Sequence, residues 1–174
     1  MYYLVFISLS LLVVVFQTTI VPELFGFLGL YDLLIPLSIY FSLYRHFHEG
    51  LPILIIAALM MDMLSGAPAG IYLVTYVWLF LTFRQTWRFL DLNHGYLFPL
   101  IVTIGVLFQQ FIFWITLSIQ SGQFVFSAAA MKVVLFQNLW AIVSAPIILI
   151  LLRLVFKIAD QAFEIKAYEN GQSN

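Results

Sequence analysis

The sequence contains no cysteine, which removes disulfide frameworks, thiolate metal sites and cysteine nucleophiles and leaves the redox compartment open. Charge is nearly as scarce: Asp, Glu, Lys and Arg make up 9% of the 174 residues, against about 25% in ordinary soluble domains. With so few cations there is no basic face to neutralise phosphates, so a nucleic-acid binder is excluded. The first residues, Met1-Tyr2-Tyr3-Leu4-Val5, offer neither a positively charged leader nor a small-residue cleavage site. The expectation there is a retained membrane helix and not a signal peptide. What fills the chain is hydrocarbon. It is 64% hydrophobic with a mean hydropathy of +1.07, too apolar for a soluble globule.

A membrane-spanning helix needs about 20 mostly apolar residues. Three segments meet that requirement readily: Tyr2 to Val21, Tyr96 to Ile119 and Val133 to Ile158. Between the first two, Gly26, Gly29 and Pro36 interrupt an apolar run, which predicts a short interfacial piece followed by a helix from about Asp32 to Tyr44. Two further runs are short, Leu51 to Leu64 and Ala69 to Phe83. The first of them spans a bilayer only by extending into the Arg45 to Gly50 link or by resting on neighbours.

Charge placement tests this count of six, because cytoplasmic loops carry excess Lys and Arg. With a cytoplasmic N-terminus, the inner segments hold Arg45, Arg84, Arg88, Arg153, Lys157 and Lys166, and the outer loops hold only Lys132. The expected fold is therefore an all-α integral membrane protein with six transmembrane helices and both termini in the cytoplasm. Residues 1–158 form one membrane domain and 159–174 a short polar cytoplasmic tail. Tyr2, Tyr3, Tyr40, Tyr44, Trp87, Tyr96 and Trp140 fall where interfacial aromatic belts place such residues.

Between Gly50 and Phe83 the only charged side chain is Asp62. A carboxylate near the bilayer centre costs roughly 2.5–3.5 kcal/mol on insertion scales, so Asp62 points to a partner or a turn that receives it. The run Asp62-Met63-Leu64-Ser65-Gly66-Ala67-Pro68-Ala69-Gly70 reads as a turn, with Gly66 free to take positive φ and Pro68 unable to continue a helix. Asp62 and Ser65 are then candidates for bonding freed backbone groups. Pro68 also argues against a continuous GxxxG packing face through Gly66 and Gly70. Asp32, just ahead of the second helix, reads as an N-terminal cap, with a functional acid as the alternative.

The amides Gln109, Gln110, Gln137 and Asn138, with Ser144, sit inside apolar spans as cross-helix hydrogen-bonding groups, and Gln137 and Asn138 have a polar cavity as their alternative. His46-x-His48-Glu49 reads as a solvated inner loop, since no fourth ligand has convincing spacing. No histidine lies inside a span to activate Ser65, and His94 belongs to the opposite side, so the expectation is that the chain is not an enzyme and has no catalytic residue, metal or cofactor.

Asp-x-x-Ser-Gly-x-x-x-Gly, as Asp62, Ser65, Gly66 and Gly70 closing the third hydrophobic segment, resembles the signature of the bacterial rod shape-determining protein MreD family. Tyr31-Asp32-Leu33-Leu34 opening the second helix is similar to that family's polar residue before a leucine-rich run. The resemblance covers length and hydropathy over nearly the whole chain, with diagnostic residues between Tyr31 and Gly70. Ala58 stands where members often carry glycine, and Tyr31 where a proline is usual. The resemblance implies a non-enzymatic scaffold in the bacterial inner membrane. It implies binding to MreC, a single-span protein, within a rod complex holding MreB, RodA and a penicillin-binding transpeptidase. It further implies the six-helix architecture of the S components of energy-coupling-factor transporters. That gives the alternative, a vitamin-binding transporter subunit, which the mostly apolar outer loops, Pro22 to Tyr31 and Gln120 to Met131, do little to support. Phe108, Phe111, Phe113 and Trp114 supply an aromatic surface for a partner helix or for lipid.

Overall fold

The computed structural model of the chain describes residues 2–21, 23, 31–86, 97–122 and 128–172. Six α-helices, and no strand, are found among them. They are α1 (Tyr2–Val15), α2 (Leu34–Tyr44), α3 (Phe47–Leu64), α4 (Ile71–Thr86), α5 (Leu97–Ser121) and α6 (Ala128–Gln172). A π-helical turn, Phe16–Ile20, continues α1. Three helices are long and apolar enough to cross a membrane: Phe47–Leu64, Leu97–Ser121 and the stretch Ala130–Ile158 of α6. By length and composition these three helices are consistent with a helical membrane protein. Trp87, Arg88, His94 and Tyr96, and most of the Pro22 to Tyr31 loop, lie outside the described residues, as do the side chains of Tyr2, Tyr3 and Lys166.

Helix α2 is the hub. It packs against α3, α4, α5 and α6, while α1 packs on α3 and α5 on α6. Nine consecutive residues of α2, Leu34 to Ser42, are buried. A helix that is apolar all round is one enclosed by protein on every side, and at 11 residues α2 extends only about 16 Å. Pro36 is tolerated because it falls in the first turn, where its missing N–H has no intrahelical partner. Close approach to α2 is built in at Gly105 of α5, where a Cβ would stand 2.8 Å from Ile35 Cγ2. The buried hydroxyls of Ser10, Ser38 and Thr75 donate to carbonyls three or four residues back in their own helices, the local solution where no water is at hand.

Three sequence boundaries move. The segment expected to begin at Leu51 starts at Phe47, so His48 and Glu49 form the first turn of α3 and not a solvated loop, and the helix reaches 18 residues. Pro52 lies inside that helix, in its second turn. The last helix begins at Ala128 and runs to Gln172. Residues 159–172 are thus a helical extension of α6, because Ala, Glu, Lys and Gln sustain a helix and no proline stops it.

One end of the bundle collects arginines. Arg84 Nη1 donates to the carbonyl of Arg45 at 2.9 Å. The Arg45 guanidinium lies 4.6 Å over the Phe6 ring, and that of Arg153 lies 5.2 Å over Tyr44. Phe156 stacks between Phe6 and Tyr40 at centroid distances of 5.1 and 4.9 Å, joining α1, α2 and α6 beneath these cations.

Candidate functional site

At the opposite end, α3 turns into α4. Gly66 and Gly70 take φ of +67° and +92°, the left-handed conformation that only glycine adopts without strain, and Ser65 Oγ accepts the Ala67 N–H at 3.3 Å. The Asp62 carboxylate accepts the N–H groups of Tyr72 at 3.0 Å and Leu73 at 3.2 Å. Those are two of the four orphan donors at the start of α4. Asp62 is therefore the cap of the next helix, supplied from the end of the previous one and only half-buried. The turn reading of this run holds, and the break at 65–70 rules out a continuous GxxxG face.

The buried acid is Asp32, 7% exposed. Oδ1 accepts the backbone N–H of Leu34 at 2.9 Å and Gln17 Nε2 at 2.8 Å. Oδ2 accepts Gln109 Nε2 at 2.7 Å and the hydroxyl of Tyr76. The bond to Leu34 is the expected helix-start bond. The other three tie α1, α4 and α5 to the start of α2 and go beyond a cap. Gln17 completes the joint by accepting the Leu33 N–H through Oε1 at 2.8 Å. Gln17 sits in the π-helical turn Phe16–Ile20, and such turns often re-aim a side chain at a functional position. Every partner of Asp32 is a donor, the set that suits an ionised carboxylate, which can only accept. Among the described residues no cation joins it. Burying a carboxylate is tolerable only with such compensation.

Beside Asp32 lies a cavity of about 420 Å³, within the roughly 300–1,000 Å³ typical of small-molecule sites. Its polar wall is Gln17, Asp32, Gln109, Gln110 and Gln137, and its aromatic wall Tyr72, Phe113 and Trp114. The Tyr72 and Phe113 rings meet edge-on at 5.4 Å. Gln110 Nε2 donates to Gln137 Oε1 at 2.6 Å, and Asn138 Nδ2 donates to Gln110 Oε1 at 3.3 Å. Gln110, Gln137 and Asn138 thus bridge α5 to α6; of the two amides with a cavity as their alternative, Gln137 lines it and Asn138 does not, while Gln110 lines it unexpectedly. Tyr31 and Ser144 share a hydrogen bond of 2.7 Å, a further link from the start of α2 to α6. No group of three or more potential metal ligands occurs among the described residues.

Comparison with protein-family models, with curated proteins and with solved structures finds no match. The site therefore stands on its geometry. Of the residues singled out in the sequence, Asp62, Ser65, Gly66 and Gly70 come together in the α3–α4 turn, and Asp32 stands apart from them as the centre of its own cluster. Tyr72 connects the two groups. Its N–H is capped by Asp62, and its side chain lines the cavity. Phe113 and Trp114 line that cavity as well, while Phe111 faces outward. Gln17, Tyr72 and Tyr76 were not anticipated. Gln17 carried a signal, as a lone amide late in an apolar run, whereas nothing distinguished Tyr76 from the other tyrosines.

Proposed function

We propose that the chain is a non-enzymatic membrane scaffold resembling MreD, working in the bacterial cell-elongation complex by helix contacts with an MreC-type partner. The observation that supports this reading is that Asp62, Ser65, Gly66 and Gly70, which carry the resemblance, all act in one structural joint and none is arranged as a nucleophile with a base. Around that joint the bundle keeps an apolar exterior. Leu100, Ile104, Leu107, Phe111 and Ile115 form an exposed stripe along α5, a surface that suits lipid or another helix.

The topology belonging to this proposal has six spans with both termini in the cytoplasm. The arginine end then faces the anionic inner leaflet, where each cation near the surface contributes about 1 kcal/mol, and the Asp32 end faces outward. Cysteine-accessibility labelling along residues 84–94 tests the orientation, since an externally reactive link overturns it. Co-expression with an MreC-type single-span protein, followed by purification in mild detergent, tests the role. A stable complex is expected, and recovery of the chain alone from repeated trials sinks the proposal. A second reading, a ligand-binding transporter subunit, is favoured by the cavity, whose described lining comes mostly from side chains within helices. A thermal-shift panel of vitamins addresses it.

A further inference from the structure

We infer that the cavity beside Asp32 takes a small organic cation, an ammonium or amidinium head carried on an aromatic or apolar body. The inference goes beyond the scaffold proposal and does not depend on it.

The first argument is sign. Among the described residues the lining holds one carboxylate, four glutamines, aromatic and aliphatic side chains, and no lysine or arginine. An anion entering would meet Asp32 at reduced dielectric with nothing to offset the repulsion, whereas a cation supplies the counter-charge that the four neutral donors do not. Lys132, near the start of α6, is exposed and absent from the lining.

The second argument is the character of the walls. Trp114, Phe113 and Tyr72 present ring surface, which attracts organic cations through the negative face of the π-system. A bare metal ion fits poorly. Hard cations require six or more oxygen ligands, and the single carboxylate is already occupied by donors from Gln17, Leu34, Tyr76 and Gln109.

The third argument is an excess of acceptors. Behind Gln110 and Gln137, the Oδ1 of Asn138 is buried and receives no hydrogen bond from any described group. Buried polar atoms of this kind are rare, and a ligand N–H reaching the amide chain lets that chain rearrange to satisfy it.

The same head chemistry occurs on a free amine and on an ethanolamine lipid headgroup, so the test separates these sources. The full chain in maltoside micelles is titrated at neutral pH with benzylammonium, which carries N–H donors, with benzyl alcohol and benzoate as neutral and anionic counterparts of similar size, following tryptophan fluorescence and unfolding temperature. Saturable binding of the cation alone is expected. Trp114→Leu, at a half-buried wall position, and Asp32→Asn should each weaken it by about tenfold or more, equivalent to about 1.4 kcal/mol. Gln137→Lys, which places a cation in the wall, should abolish it. Absence of saturable binding overturns the inference, as does equal binding of benzoate or indifference to both Trp114→Leu and Gln137→Lys in variants that stay folded. Added phosphatidylethanolamine assigns the source: competition with the probe identifies a lipid headgroup, and no competition a free molecule. Either result upholds the cation site.

Discussion

At one end of the bundle a single carboxylate, Asp32, is enclosed by four neutral donors with no cation beside it among the described residues. At the other, the guanidiniums of Arg45, Arg84 and Arg153 lie across aromatic rings at the rim. The acid is held by short directional bonds from four separate places in the chain, each of which must be present and correctly aimed. The arginines are held by diffuse contacts with ring faces and carbonyl oxygens, which tolerate displacement, and their long stems let the charge reach water or headgroups. Charge inside a bundle demands specific partners; charge at its margin demands only proximity.

This contrast is broken most directly at Asp32. Asp32→Leu strands the donors of Gln17, Tyr76, Gln109 and Leu34, and we expect a loss of about 3–5 kcal/mol, since each unsatisfied buried donor costs about 1–3 kcal/mol and partial rearrangement relieves some of them. Asp32→Asn keeps one acceptor oxygen but turns an NH₂ toward existing donors, and should cost about 1–3 kcal/mol. Reversible unfolding in detergent measures both. A leucine variant within about 1 kcal/mol of the parent removes the distinction between the two ends.

Gly105→Val sharpens the comparison from the middle of the bundle. Gly105 lets α5 approach α2 closely, and Gln109 follows one helical turn later on the same buried face. A Cβ only 2.8 Å from Ile35 Cγ2 forces the helices apart at a cost of about 1–3 kcal/mol. It should also loosen the Gln109 bond to Asp32. The expected readout is a lower unfolding midpoint together with weaker binding of the organic cation; unaltered binding would separate the helix seat from the site.

At the arginine end, Arg84→Gln removes a 2.9 Å bond to the Arg45 carbonyl and a guanidinium lying 5.7 Å from the Phe47 ring. We expect about 1–2 kcal/mol, clearly less than for Asp32→Leu. A larger loss in the same assay would show that the margin is as exacting as the interior.

How much of this could be read from the sequence differs from residue to residue. Hydropathy placed α1, α5 and the spanning part of α6 to within a few residues, because long apolar runs have few alternatives to a helix in lipid. Gly66, Pro68 and Gly70 located the α3–α4 turn, since their backbone preferences are local. Helix α2 was harder to characterise. Its 11 residues look like a fragment of a span, and what makes it the hub is the company of four other helices, which no local pattern encodes. The same holds for Asp32. Its bond to Leu34 is two residues away and was legible as a helix start. Its bonds to Gln17, Tyr76 and Gln109 cross 15, 44 and 77 residues and depend on the packed arrangement.

The smallest effect belongs to Asp62, the acid that stands out most in the sequence. It works at the same end as Asp32, yet its two acceptors meet only backbone N–H groups at the start of α4. Asparagine supplies a carbonyl oxygen to the same donors and ranks with aspartate as a capping residue. Asp62→Asn should therefore change stability by no more than a few tenths of a kcal/mol, while Asp62→Leu, which removes the acceptor, should cost about 1 kcal/mol. Partner co-purification adds an independent readout. If Asp62 only caps α4, the asparagine variant retains the partner as well as the parent does. If asparagine folds normally but loses the partner, the negative charge itself is recognised, and the contrast between an acid that serves the site and an acid that serves the fold must be redrawn.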